Sequence, residues 1–197
     1  MAQFNAQEDL SKDLMHLYDE APFSFADVVL KCESFTINAH KCILSARSPV
    51  FSTMFKNEMR ESQENVVEIS DLDILTLRTM LIYIYTGNVD DLSMSNTQNL
   101  LYAAVKYQLM GLKKMCIAHL KSTVSNQNVL NVLVLGDIYD QDLKNFALNF
   151  ICNKVSTFSL LEITEKWKHL QMEKSALACE VLISLVTALE EKVRILS

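Results

Sequence analysis

The sequence predicts an α+β fold that is mainly helical, and three observations lead there. The 197 residues hold only three Gly and two Pro, too few turn formers for an all-β chain. Half the residues are apolar, enough to fill a core and too many for a disordered chain. The three runs that read as strands fall within the first 70 residues, and the chain beyond them carries helical spacing. The length suits one domain or two small ones.

The opening AQEDLSKDLMHLYDE sets Leu10, Leu14 and Leu17, with Met15 beside them, at helical spacing; Glu8, Asp9, Lys12, Asp13 and Asp19 occupy the other face. After a break at Ala21-Pro22, VVLKC and SFTIN read as two strands joined by a tight turn at Glu33-Ser34. HKCILSARSPVFSTMFKNEM reads as two short helices divided at Ser48-Pro49, a good N-cap followed by a residue preset for the first helical position. NVVEIS is a third strand. Either Asp71 or Asp73 caps LTLRTMLIYIY, and Gly87 ends it in a left-handed position. Ser95-Asn96-Thr97-Gln98 matches a capping box ahead of NLLYAAVKYQL, and LKKMCIAHLKSTV follows.

A second helical region begins past Ser125-Asn126. It comprises NVLNVLVLGDIYD, DLKNFALNFICNKV, a short FSLLEIT and a long KSALACEVLISLVTALEEKVRI. Gly136 lies inside the first of these and costs about 1 kcal/mol against Ala; it marks either a close helix approach or a tolerated defect. The final helix is apolar on more than one face, which fits burial on two sides or a self-association surface with Leu182 and Leu185.

Charge and cysteine usage exclude several functions. A net charge of −6 with scattered Lys and Arg offers no basic face to nucleic acid or to an anionic membrane surface. Five widely spaced cysteines, an odd number, predict a reduced intracellular protein without a disulfide framework. The chain opens on no basic-then-apolar leader, and no apolar run approaches the ~20 residues of a membrane span. Cys116-x-x-His119 has metal-ligand spacing on one helix but lacks a second pair, so no metal site is expected. Cys32, Cys42 and Cys152 read as small core residues. No glycine-rich phosphate loop and no nucleophile in a recognisable arrangement are present, so no cofactor and no catalytic residue are expected.

The order helix, DVVL, AHKCILSARSPVFSTMF, VVEI and LIYIYTG resembles the BTB (POZ) domain, a small β-sheet flanked by helices. The resemblance places an N-terminal tail over residues 1–6, a BTB/POZ domain over 7–122 and a helical region similar to BACK over 123–197. SARSPVFSTMFKNEMRES and YTGNVDDL are most similar to the speckle-type POZ family, whose members carry a substrate-binding MATH domain ahead of BTB. This chain starts almost directly at the BTB helix, so the resemblance implies either that substrates are held by an absent or separate domain or that the chain is a fragment or a truncated relative.

The resemblance also implies roles for residues. Met59-Arg60-Glu61 matches the family's cullin-binding pattern of an apolar residue, any residue and Glu. A flexible thioether suits a groove between proteins, and a nearby carboxylate fixes polarity and on-rate. Without the resemblance, the spacing favours Met59 as a helix-end residue folded back on the local core, with Glu61 solvated. Tyr107, which the family places beside this groove, is a secondary cullin-binding candidate that reads equally as a half-buried helix residue, and Phe55 is a core residue. The family uses the N-terminal helix to cross to a symmetric partner, which assigns Leu10, Leu14, Leu17 and Ile43 to a dimer interface. Alone, such a helix says only that it packs on something. Asp27 and His40 match the family's signature positions and form a structural polar pair.

The implied function is a substrate-adaptor subunit of a cullin-3 RING ubiquitin ligase, dimeric through BTB and not itself an enzyme. Its partners are cullin-3, a second copy or a related BTB protein, and protein substrates destined for proteasomal degradation. The alternative is a homotypic BTB scaffold or transcription co-regulator that does not bind cullin. The expected location is intracellular, in the nucleus and/or the cytoplasm, with nuclear residence implied by the resemblance alone.

Overall fold

β1 (Val28–Cys32) and β2 (Phe35–Ala39) form an antiparallel hairpin in register from Val28 opposite Ala39 to Cys32 opposite Phe35. Glu33 takes a left-handed φ of 55° in the two-residue turn between them. β3 (Val66–Glu68) pairs parallel to β1, giving the order β2-β1-β3. Along β1, Val28, Leu30 and Cys32 are buried while Lys31 is exposed, the period of two that a sheet with one face on a core requires. This computed structural model describes residues 6–19, 25–56, 64–89, 92–153 and 155–196.

The chain divides into two compact units, Met1–Cys116 and Ile117–Ser197. The first contains the sheet, α1 (Ala6–Asp19), α2 (Lys41–Arg47), α3 (Pro49–Lys56), α4 (Ile74–Thr86) and α5 (Met94–Lys106). The division falls within α6 (Met110–Ser122). Of the two candidate caps for α4, Asp73 holds the position: its carboxylate accepts from the Thr76 N–H at 2.8 Å. Gly87, with φ 78°, ends the helix as expected.

The helix α5 departs from the sequence reading at both ends. It starts at Met94, with Ser93 in the extended cap conformation, so Ser95 lies inside the helix and the expected capping box does not form. Thr97, Leu100, Leu101 and Ala104 are all buried, an i, i+3, i+4, i+7 face that holds the earlier turn helical. At the other end the helix stops before Leu109, because Gln108 adopts φ 54° and redirects the chain.

The second unit holds α7 (Val129–Tyr139), α8 (Gln141–Asn153), α9 (Val155–Leu161), α10 (Glu165–Glu173) and α11 (Ser175–Leu196). Gly136 is required. A Cβ there would stand 2.3 Å from the backbone N of Lys144 and 2.6 Å from its Cα, so α7 meets the first turn of α8 closer than any side chain allows. Nearby, Lys144 bonds Asp137 at 3.1 Å and Glu180 at 2.6 Å, and Lys174 bonds Asp137 at 3.3 Å. The sequence reading missed α10. It is capped by Thr164, whose hydroxyl accepts from the Trp167 N–H at 3.2 Å, and it anchors through Trp167, set edge-on to Phe158 at 5.2 Å. In α11, Leu185 is buried while Leu182 stays exposed. Among the described residues no helix is long and apolar enough to cross a membrane, and no buried side-chain polar atom lacks a hydrogen bond.

Candidate protein-interaction face

The amphipathic opening of the chain becomes α1, and none of its residues is fully buried. It rests on α4 through Tyr18, whose ring lies 5.1 Å from that of Tyr85. Burial pushes the pKa of both phenols above their ordinary range. Leu10 remains 59% exposed, and Leu14, Leu17 and Ile43 are half-buried. Leu10, Leu14 and Ile43 come together in one groove of about 780 Å³, floored by Ile84 and Tyr85. Leu17 lies a turn further along α1.

Sequence reasoning missed Ala46 and Arg47, which line the same groove. The signal was available, since both follow Ile43 at helical spacing on α2. Cys42 also lines the groove and is exposed, which corrects its reading as a core residue. Leu44 is the residue that α2 turns inward, and a position two residues earlier points away from it. An apolar centre with Glu8, Arg47 and Asn88 around it has the anatomy of a protein interface. Among the described residues no cluster of His, Cys, Asp and Glu could hold a metal ion.

The polar residues singled out in the sequence serve adjoining joints. The Asp27 carboxylate accepts from the Lys41 N–H at 2.7 Å, tying the start of β1 to the start of α2. His40, buried, donates its backbone N–H to the Tyr85 hydroxyl at 3.0 Å, and its Nδ1 lies 2.8 Å from the same oxygen. The arrangement is satisfied when Nδ1 is the unprotonated ring nitrogen, receiving the phenol proton.

A third joint roots α3. The buried Ser48 hydroxyl accepts from the Phe51 N–H at 3.2 Å and donates to the Tyr107 carbonyl at 2.8 Å. Phe51 stacks on Tyr107 at 5.0 Å and on Phe55 at 6.0 Å. Tyr107 is buried, so its ring belongs to this stack beneath α3, and burial raises its pKa. Met59, Arg60 and Glu61 follow α3 and lie outside the described residues.

The BTB/POZ domain family matches residues 15–124. The chain belongs to the BTB/POZ family. This BTB/POZ protein is 38% identical over 181 residues to mouse TD and POZ domain-containing protein 3, covering 91% of this chain and 48% of that one. The chain thus spans about half the length of the curated relative it matches. The BTB domain of zebrafish PATZ1 superposes with a TM-score of 0.51 at 20% identity, over 62% of this chain and all of that one. The BTB domain of human gigaxonin gives 0.48 at 26% identity, over 59% and 93%. The family match establishes the BTB fold as the architecture here, a small sheet flanked by helices with a further helical region after it.

Proposed function

We propose that this BTB/POZ protein is the dimeric substrate-adaptor subunit of a cullin-3 RING ubiquitin ligase, similar to the speckle-type POZ family, with a BACK-like region over residues 123–197. The observation that carries the reading is the uncovered apolar groove of Leu10, Leu14 and Ile43. A second copy of α1 would complete it by a two-fold operation. Each leucine taken fully out of water contributes about 1.5–3 kcal/mol, and the three on α1 are doubled by symmetry.

Cullin engagement falls to Met59, Arg60 and Glu61. Support for it comes from the root of α3, where Ser48 and the Phe51–Tyr107 stack fix the helix that leads to them. Tyr107 acts from beneath, through Phe51. The protein performs no ubiquitin transfer; that chemistry belongs to the enzyme the RING partner delivers. A dimer presents two ligase arms to a multivalent substrate and raises the effective concentration near it. The second reading, a homotypic or heterodimeric scaffold without cullin, draws on the same groove, which needs no cullin to close.

Two variants separate these readings. Leu10→Asp, Leu14→Asp and Leu17→Asp together are expected to give monomers by light scattering. Met59→Asp with Glu61→Lys is expected to abolish binding to the N-terminal region of cullin-3 while the dimer persists. A wild-type chain that dimerises but does not bind cullin-3 establishes the scaffold; a triple variant that stays dimeric overturns the assignment of the groove.

A further inference from the structure

In the second unit α8 and α11 run side by side in the same direction. Lys144, early in α8, bonds Glu180, early in α11, and Lys192 lies within electrostatic reach of Cys152 near the end of α8. Residues four apart recur along one edge of a helix. Two such rows border an open groove of about 520 Å³: Asn145, Asn149 and Asn153 on α8, and Ile183, Thr187 and Glu191 on α11. Leu148 and Cys152, both buried, form its floor.

A row of carboxamides differs from an ordinary polar face. Each offers one acceptor and two donors, the complement that a peptide group requires. Four residues advance a helix by about 6 Å. Two residues of an extended chain advance about 6.6–6.8 Å and bring its N–H and C=O back to the same side. Across three positions the mismatch reaches only about 1.5 Å, within reach of the asparagine torsions. Asn145 gives its oxygen to Gln141 Nε2 at 3.0 Å. Among the described residues no side-chain hydrogen bond engages Asn149 or Asn153. Of the described groove residues only Glu191 is charged, and it stands at one end of its row.

We propose that this groove binds an extended peptide segment of a partner protein through its main chain. Small apolar side chains of the segment rest on Leu148 and Cys152, and a lysine or arginine pairs with Glu191. A docked helix fits less well, because its own main-chain groups are used internally and leave the amide row unanswered. The site involves no residue of the first unit and stands apart from the adaptor reading.

The test is titration of the full chain with a capped nonapeptide of alternating valine and serine ending in lysine, followed by NMR and calorimetry. The side-chain amide signals of Asn149 and Asn153 are expected to move on binding. The same peptide N-methylated at alternate residues keeps its side chains but loses main-chain donors, and is expected to bind at least about tenfold more weakly. Asn149→Ala with Asn153→Ala is expected to cause a similar loss without changing the melting temperature, since both residues are exposed. Glu191→Lys is expected to reverse the preference toward a peptide ending in glutamate. Three results overturn the proposal: no shift at millimolar peptide, equal binding of the N-methylated peptide, or the same amides responding instead to a helix-locked peptide or to self-association seen by light scattering. The N-methyl comparison uses the unaltered protein and holds whatever the variants do.

Discussion

Replacing Gly136 by Ala tests the close approach of α7 to α8. In an exposed helix the change stabilises by about 1 kcal/mol. Here the new methyl would meet Lys144 N at 2.3 Å, Lys144 Cα at 2.6 Å and the Leu143 carbonyl carbon at 2.9 Å, all of them backbone. None of these atoms can swing aside as a side-chain end would, so α8 must shift as a body. That motion pulls Lys144 from Asp137 and Glu180. Overpacking costs about 1–3 kcal/mol, and rigid neighbours place this case at the upper end; less the propensity gain, a net loss of about 2 kcal/mol remains. For a unit of this size that lowers the melting temperature by about 10 °C. The chain's single tryptophan, Trp167, is buried in the same unit, so its fluorescence during urea or thermal unfolding reads the affected half alone. A Gly136→Ala protein that unfolds at the wild-type temperature or above refutes the close approach of α7 to α8.

Ser48→Ala removes the cap of α3 and leaves the Tyr107 carbonyl without its donor; a loss of about 2 kcal/mol is expected in urea unfolding followed by circular dichroism, and a change below about 0.5 kcal/mol would place the anchor of α3 elsewhere. For Asp137, burial alone raises the pKa, but hydrogen bonds and charge from Lys144 and Lys174 outweigh it and hold the carboxyl below its ordinary value. The unfolded state then binds the proton first as pH falls, so this contribution is complete above about pH 4 and is lost on acidification through the folded-state value. Asp137→Asn is expected to flatten the acid limb of a stability–pH curve read by Trp167; an unchanged slope counts against the network. Of the five thiols, Cys42 and Cys179 are exposed and are expected to react rapidly with maleimide in the native state, read by mass spectrometry. Cys32, Cys116 and Cys152 are buried, burial pushes the Cys116 thiol up to about 12, and fast labelling of any of the three contradicts this packing.

The strands were legible because alternation along VVLKC survives in the folded burial pattern, and α4 because an acidic cap and a terminal glycine bracket it. Choosing Asp73 over Asp71 was beyond the sequence, since both stand at plausible distances and only the hydrogen bond to Thr76 decides. The short α10 escaped notice because most of its positions are exposed polar residues and its hold on the unit comes from Trp167 and Leu170, too few to make a period visible. Leu10 and Leu14 were legible as one face from their spacing, but Ile43 joined them only through the family resemblance, because α1 and α2 are separate in sequence and line one groove only in the fold. The pairing of α8 with α11 carried no local signal at all, since neither helix encodes its neighbour.

That pairing orders events during synthesis. α7 and α8 are consecutive and can close as a hairpin on emergence, but the flank of α8 that meets α11 stays bare until α9 and α10 have also been made. At ribosomal speeds of about 5–20 residues per second the wait lasts about one to several seconds, long beside hairpin closure. During that interval the nascent chain offers an apolar strip to any chaperone at the tunnel exit, and a slowly translated stretch between the two helices would lengthen the exposure without altering a single contact in the finished protein.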